Sequence, residues 1–334
     1  MLHKFVFWWK RFLLGARHAW QNGSLFYVLA ALLLLPVWFN PVTQQQSSVQ
    51  DTLYVIDISE SMNVRDVDYP KPHSARLELA KHAVRSSMSQ LACGSRVSVG
   101  LFAGDETVVL FEPLEICQHF PAIEQVVARL DSRMRWIGDS WIIRAMLGGI
   151  KEAQKRKLNL VFISDFDEMP HRSAPRLTDL LEVKGKVKGV LLGVGGEAPQ
   201  PVPRLNGVGE IISYWTPEEA VLEGNHPNLL SYVKELKPGE KAPDGVLDEV
   251  GEHLSAFNRS MMQSTAAAAT MDFLHIKRPQ EALPILQNVS YQKEALAERD
   301  ARWLYTLPAI FLILIGWFWQ KLSRIFTRNF YFRF

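Results

Sequence analysis

Cysteine is scarce: Cys93 and Cys117 are the only two among 334 residues. Two are too few for a disulfide-built scaffold, and their spacing is not that of a zinc site. One bridge or two free buried thiols are the readings left open. A dominant charge of one sign is missing as well. The formal net charge is +2, and no basic block interleaved with aromatics lies between the two ends, so no nucleic-acid partner is indicated. The nine histidines show no His-Glu-x-x-His spacing. Neither a Gly-x-Ser-x-Gly elbow nor a Cys/His nucleophile pair occurs. The run from Gly193 to Gly196 lacks the helix and basic residue of a phosphate loop and reads as a turn. Internal repeats are absent, and Ala266 to Ala269 is the one low-complexity tract.

What is present begins with two apolar runs. Leu25 to Phe39 is apolar apart from Pro36; with its flanks (24–42) it is long enough to cross a bilayer, which takes about 20 residues. Residues 1–23 ahead of it carry Lys4, Lys10, Arg11 and Arg17, no carboxylate and several tryptophans, the pattern of a basic amphipathic segment at a membrane–water interface. A second run covers 303–320, with Trp303, Tyr305, Trp317 and Trp319 at its edges. The tail 321–334 holds Lys321, Arg324, Arg328 and Arg333 and no acid. By the positive-inside rule both termini are cytoplasmic and the middle of the chain lies outside. In a bacterium that places two spans in the inner membrane and residues 50–290 in the periplasm, where a disulfide persists. A cleaved signal peptide is the alternative for the first run, but its leader is long and no small-residue cleavage pattern follows Phe39.

Between the spans, strands alternate with helices. Thr52 to Ile56 reads as a buried strand ending in Asp57. Ser74 to Gln90 has helical spacing, with Arg76, Glu78, Lys81 and Arg85 as its polar face. Arg96–Phe102 and Thr107–Phe111 read as strands, and Ala122–Leu130 and Trp141–Lys155 as helices. Leu158 to Ser164 is a further strand, ending in Asp165, and Val187 to Val194 another. Leu254–Met271 and Pro279–Leu286 read as helices around a strand at Phe273–Ile276. The expectation is an α/β fold: a doubly wound, mostly parallel sheet. Ligands of such sheets bind beyond the carboxyl ends of the strands, where Asp57 and Asp165 fall.

Asp57-Ile58-Ser59-Glu60-Ser61 offers one carboxylate and two hydroxyls from a tight loop. Hard oxygens of low total charge suit Mg2+ or another divalent cation that can accept one more carboxylate from outside. The expected ligands are Asp57, Ser59, Ser61 and Asp165. The pattern alone is weak; its placement after a buried strand, with a second strand-ending Asp about a hundred residues on, makes it specific. As an aspartyl phosphotransferase the loop lacks a second Asp, because Ser59 stands two residues after Asp57. Asp167 and Glu168 read as solvated loop charges.

The stretches Asp57–Met62, Ala75–Lys81 and Ser95–Gly104, continued by Leu158–Glu168 and Val190–Gly195, resemble the von Willebrand factor A-type (vWA) domain of the bacterial Bat aerotolerance proteins. That resemblance implies a Rossmann-like vWA fold with a metal-ion-dependent adhesion site (MIDAS), and a partner-binding role without catalysis. It also implies clients outside the cytoplasm and company among related vWA membrane proteins and MoxR-type AAA+ ATPases, including those of methanol dehydrogenase maturation. A structural subunit of a membrane complex is the alternative. The family has a threonine in a second loop, where this sequence reads Arg135-Trp136-Ile137-Gly138-Asp139. In that register Arg135 either points away or replaces the metal by pairing with Asp57 and Asp165; in another, Ser132 or Ser140 supplies the hydroxyl. Arg135, Trp136 and Asp139 are the residues expected to modify the site or meet the partner.

Overall fold

Thr52–Asp57 is buried along its whole length. Successive side chains of a strand point to opposite faces, and here both faces are covered. Tyr54 and Ile56 join one core with Leu79 of the helix Arg76–Met88 and Ile123 of the helix Ile116–Ala128. Leu53 and Val55 join the other, with Met146 of the helix Ile142–Arg156 and Met262 of the helix Arg259–Ala269. Each aliphatic side chain buried this way contributes roughly 1.5–3 kcal/mol relative to exposure.

The computed structural model describes residues 23–330 apart from 139, 169–176, 224–228, 230–232, 235 and 237–252, with the side chains of 223 and 323–330 also outside the description. Asp139 and nearly all of the basic segment 1–23 therefore lie outside the described residues. The chain divides into two compact units, Ser47–Ala295 and the pair Met1–Gln46 with Leu296–Phe334.

Among the described residues of the larger unit, seven strands form the central sheet. From one edge the order is Asp272–His275, Gly189–Gly193, Asn159–Ser164, Thr52–Asp57, Arg96–Ala103 and Glu106–Val109, with Leu114–Glu115 also pairing Arg96–Ala103. The first five are parallel and the two short ones antiparallel, as expected for a mostly parallel sheet. The chain leaves Thr52–Asp57 for Arg96–Ala103 on one side and later returns to Asn159–Ser164 on the other. The strand order reverses there, which opens a crevice at the carboxyl ends of Thr52–Asp57 and Asn159–Ser164.

Local chemistry moved some boundaries. The helix expected from Ala122 begins at Ile116, because the Glu115 carboxylate accepts the Gln118 N–H at 2.7 Å and caps it. The helix expected over Leu254–Met271 is broken. Leu254–Ser255 pairs with Gln200–Pro201, and the helix starts at Arg259 after Asn258, whose side chain accepts the Met261 N–H at 3.0 Å. Cys93 and Cys117 are bridged, with Cα atoms 5.3 Å apart.

In the smaller unit the helix Ser24–Leu34, continued by the 3-10 turn Leu35–Phe39, packs beside the helix Trp303–Phe330. Gly316 makes the approach close: a Cβ there would sit 3.1 Å from the Cβ of Phe26. Trp303–Leu322 is 20 residues long and apolar enough to cross a membrane. Ser24–Phe39 is apolar but shorter than a span requires, so of the two expected spans one has the necessary length among the described residues.

Candidate functional site

Asp57 closes its strand fully buried, and the backbone turns at once. The Ile58 N–H donates to the Phe102 carbonyl at 3.0 Å, holding the loop against the neighbouring strand. The Ser59 N–H donates to Asp57 Oδ1 at 2.8 Å, and a 3-10 turn over Glu60–Asn63 follows. This local turn brings the Ser59 and Ser61 hydroxyls within 3.0 Å of each other, both almost wholly buried. Across the crevice, Ser164 Oγ donates to Asp57 Oδ2 at 2.7 Å. Asp165 is also fully buried, and its Oδ1 accepts the Asp167 N–H at 3.1 Å. Phe166 takes φ 57°, a left-handed conformation that bulky residues rarely adopt, with its ring buried 6.1 Å from that of Phe162. Asp167, expected in solvent, is buried as well.

The counter-charge inside the crevice is Arg76, not Arg135. Arg76 is 0% exposed, and each of its five N–H groups has an acceptor. Nη1 donates to Asp165 Oδ2 at 2.8 Å and to Ser255 Oγ at 2.7 Å. Nη2 donates to Asp66 Oδ2 at 2.6 Å and to the Ser255 carbonyl at 3.1 Å, and Nε to Asp66 at 3.0 Å. Gly195 is the glycine this arrangement demands: its φ is +105°, and a Cβ would fall 2.5 Å from Arg76 Nε. The turn expected at Gly193–Gly196 is shaped by that close approach.

Arg135 follows the other branch of the expectation and turns away from both aspartates. Its guanidinium pairs with Glu60 and donates to the Ser132 carbonyl at 3.2 Å. Trp215 Nε1 donates to the other oxygen of Glu60 at 2.6 Å. Glu60, between the two loop serines, is thus clamped from two sides, and sequence spacing gave no sign of Trp215. Trp136 is exposed with Met134 and Ile137 on an open trough of about 730 Å³ beside Glu60. Trp141 instead lies beneath Arg144, 4.9 Å from its guanidinium.

The second-loop hydroxyl with the right surroundings is Ser140. The Ser140 backbone forms a β-bridge with Gly104, just past the strand Arg96–Ala103, and the Trp141 N–H donates to the Gly104 carbonyl at 2.8 Å. The helix Ile142–Arg156 starts two residues later. Ser140 Oγ is buried and has no hydrogen-bond partner among the described residues, a state that costs about 1–3 kcal/mol if nothing compensates it.

These residues fit a divalent cation. Octahedral Mg2+ with oxygens at about 2.0–2.1 Å sets adjacent ligands about 2.9 Å apart, close to the Ser59–Ser61 spacing of 3.0 Å. Each Asp57 oxygen accepts one hydrogen bond and keeps a lone pair. Both Asp165 oxygens are engaged, which suits contact through water. Burial, and next the charge of Asp165, push the Asp57 carboxyl up to about 7, against the hydrogen bonds from Ser59 and Ser164. Burial alone would depress Arg76, but the charges of Asp165 and Asp66 outweigh it and hold the guanidinium above its ordinary value. Among the described residues, Arg76 is the cation paired with a carboxylate of this crevice.

No curated protein matches the chain. Similar solved structures include an aerotolerance-related membrane protein from Bacteroides fragilis, 15% identical over 72% of this chain and 98% of that one, with TM-score 0.47. BatB, a conserved hypothetical protein from Bacteroides thetaiotaomicron, is 16% identical over 72% of this chain and 97% of its own, with TM-score 0.48. Proximal thread matrix protein 1 from the mussel byssus, in a form with a zinc-occupied MIDAS motif, is 13% identical over 76% of this chain and 50% of its own, with TM-score 0.39. The family model of the von Willebrand factor type A domain matches residues 52–168, the stretch that runs from the Asp57 strand to just past Asp165, and this part of the chain carries a vWA domain.

Proposed function

We propose that the chain is a membrane-held, non-catalytic protein-binding module in which Asp57, Ser59, Ser61 and Ser140 hold a divalent cation, with Asp165 behind it through water. The cation presents an open position to a carboxylate of a partner protein. The observation that carries the reading is the donor set: a buried carboxylate pushed up by burial and by the charge of Asp165, two hydroxyls at cation spacing and a third, on Ser140, without a hydrogen-bond partner among the described residues. The exposed loop Met134–Ile137 supplies an apolar rim next to it.

The proposal extends to two spans in a bacterial inner membrane with the vWA domain in the periplasm, supported by the apolar helix Trp303–Leu322 and the charge pattern of the ends. The client is a periplasmic protein whose assembly, maturation or metal loading the module assists, in company with a MoxR-type AAA+ ATPase; support for that partnership is the sequence resemblance alone. The test is Mn2+ titration of the full-length chain in detergent, paired with co-purification of crosslinked envelope proteins. Saturable Mn2+ binding and a set of partners, both lost in Asp57→Ala, are expected. The same partners retained by Asp57→Ala in EDTA would refute cation-gated binding.

A further inference from the structure

We infer that Arg76 sets the charge of the loaded site, making it one unit less negative and therefore receptive to a carboxylate. The inference rests on the cation reading above and names a residue outside the ligand set. Asp57, Asp165 and Asp167 are buried together, the Asp66 side chain is nearly so, and among the described residues Arg76 is the cation paired with Asp66 and Asp165. Without Arg76 the loaded cluster carries one more negative charge and repels an anionic side chain more strongly.

The geometry fits a charge-setting role better than a packing role. The guanidinium has no exposure, spends all five N–H groups on acceptors within 3.1 Å, and ties Asp165 at the crevice to Asp66 and to Ser255 beside it. Its hold on Asp165 Oδ2 at 2.8 Å also keeps that oxygen from a cation. Arg76 thus works in two opposite directions: it weakens the attraction for the metal and strengthens that of the metal-loaded site for an acid. A residue that merely supports the fold shifts both in the same sense.

The test uses the full-length chain in detergent, Mn2+ as the metal probe and acetate as the carboxylate probe. In Arg76→Met, Mn2+ is expected to bind about tenfold tighter or more. Acetate is expected to tighten Mn2+ binding to the wild type and to lose that effect in Arg76→Met. Arg76→Lys, which keeps the charge and loses the planar fork, is expected to stay within about threefold of wild type for Mn2+ and to retain the acetate effect. Should Arg76→Met fail to fold, Asp66→Asn carries the test: it removes one negative charge, leaves Arg76 on Asp165, and is expected to weaken Mn2+ binding about threefold or more. Wild-type Mn2+ binding that neither Arg76→Met nor Asp66→Asn shifts in these directions overturns the role of Arg76 and leaves the cation site standing. Absence of Mn2+ binding from the wild type and every variant overturns the cation site, and this inference with it.

Discussion

Ser140→Ala should change the stability of the protein in opposite directions with and without metal. Ser140 is 1% exposed, and its hydroxyl has no hydrogen-bond partner among the described residues. An unpaired buried hydroxyl costs about 1–3 kcal/mol, whereas the oxygen's packing contacts return only about 0.1–0.2 kcal/mol each. In EDTA, Ser140→Ala is therefore expected to raise the unfolding free energy by about 1 kcal/mol or more. Mn2+ at 100 times its Kd stabilises the folded chain by about 2.7 kcal/mol. Losing one hydroxyl ligand, if affinity falls tenfold, removes about 1.4 kcal/mol of that gain. The assay is urea unfolding of the full-length chain in detergent across a series of Mn2+ concentrations, wild type against variant. A variant less stable than wild type in EDTA means the hydroxyl has a partner after all. An unchanged Mn2+ increment means that Ser140 is not a ligand, and the second-loop assignment falls.

Arg135→Thr, which puts a hydroxyl in place of the guanidinium, is expected to change Mn2+ affinity less than about threefold, because the guanidinium is committed to Glu60 rather than to the aspartates; a larger gain by titration places Arg135 in the site. Replacing Cys93 and Cys117 by serine opens a loop with a sequence separation of 24, which by chain entropy costs about 3.5 kcal/mol, and a loss under 1 kcal/mol in urea unfolding refutes that origin. Burial would raise the carboxyl of Asp51, but hydrogen bonds from Arg96 and Lys293 outweigh it and hold the group below its ordinary value. The stability this contributes is present above the unfolded value of 3.8 and lost as pH falls through the lower folded one. Asp51→Asn is accordingly expected to cost about 1–3 kcal/mol at pH 7 and to flatten the acid limb of the unfolding curve, so an unchanged limb contradicts the pairing.

Much of the fold was legible because periodicity reports burial. Thr52–Asp57 reads as a buried strand since both its faces are covered, and the observed bounds match. The helix Arg76–Met88 and the strand Asn159–Ser164 fall within one or two residues of expectation for the same reason. The misreadings lie where a cap or a distant partner overrides the pattern. Asn258 starts a helix in the middle of an apolar run, and Ser255 is held out of it in a strand pairing whose hydroxyl also serves Arg76, 179 residues away.

The site divides along the same line. The Asp57, Ser59 and Ser61 donors come from one turn and are written consecutively, so their spacing announces them. Asp165 is announced by the end of its strand. Arg76 carries no such mark, because a charged residue at a helical position reads as solvated until the fold brings Asp165, 89 residues on, against it. Arg135 misleads for the converse reason: it occupies a familiar motif position, and only the folded chain offers it Glu60. Charge pairing over long sequence distance is thus the part of this site that pattern cannot supply. It also bears on what the site can do, since one guanidinium makes the crevice one unit less negative toward a divalent ion and toward a partner's carboxylate.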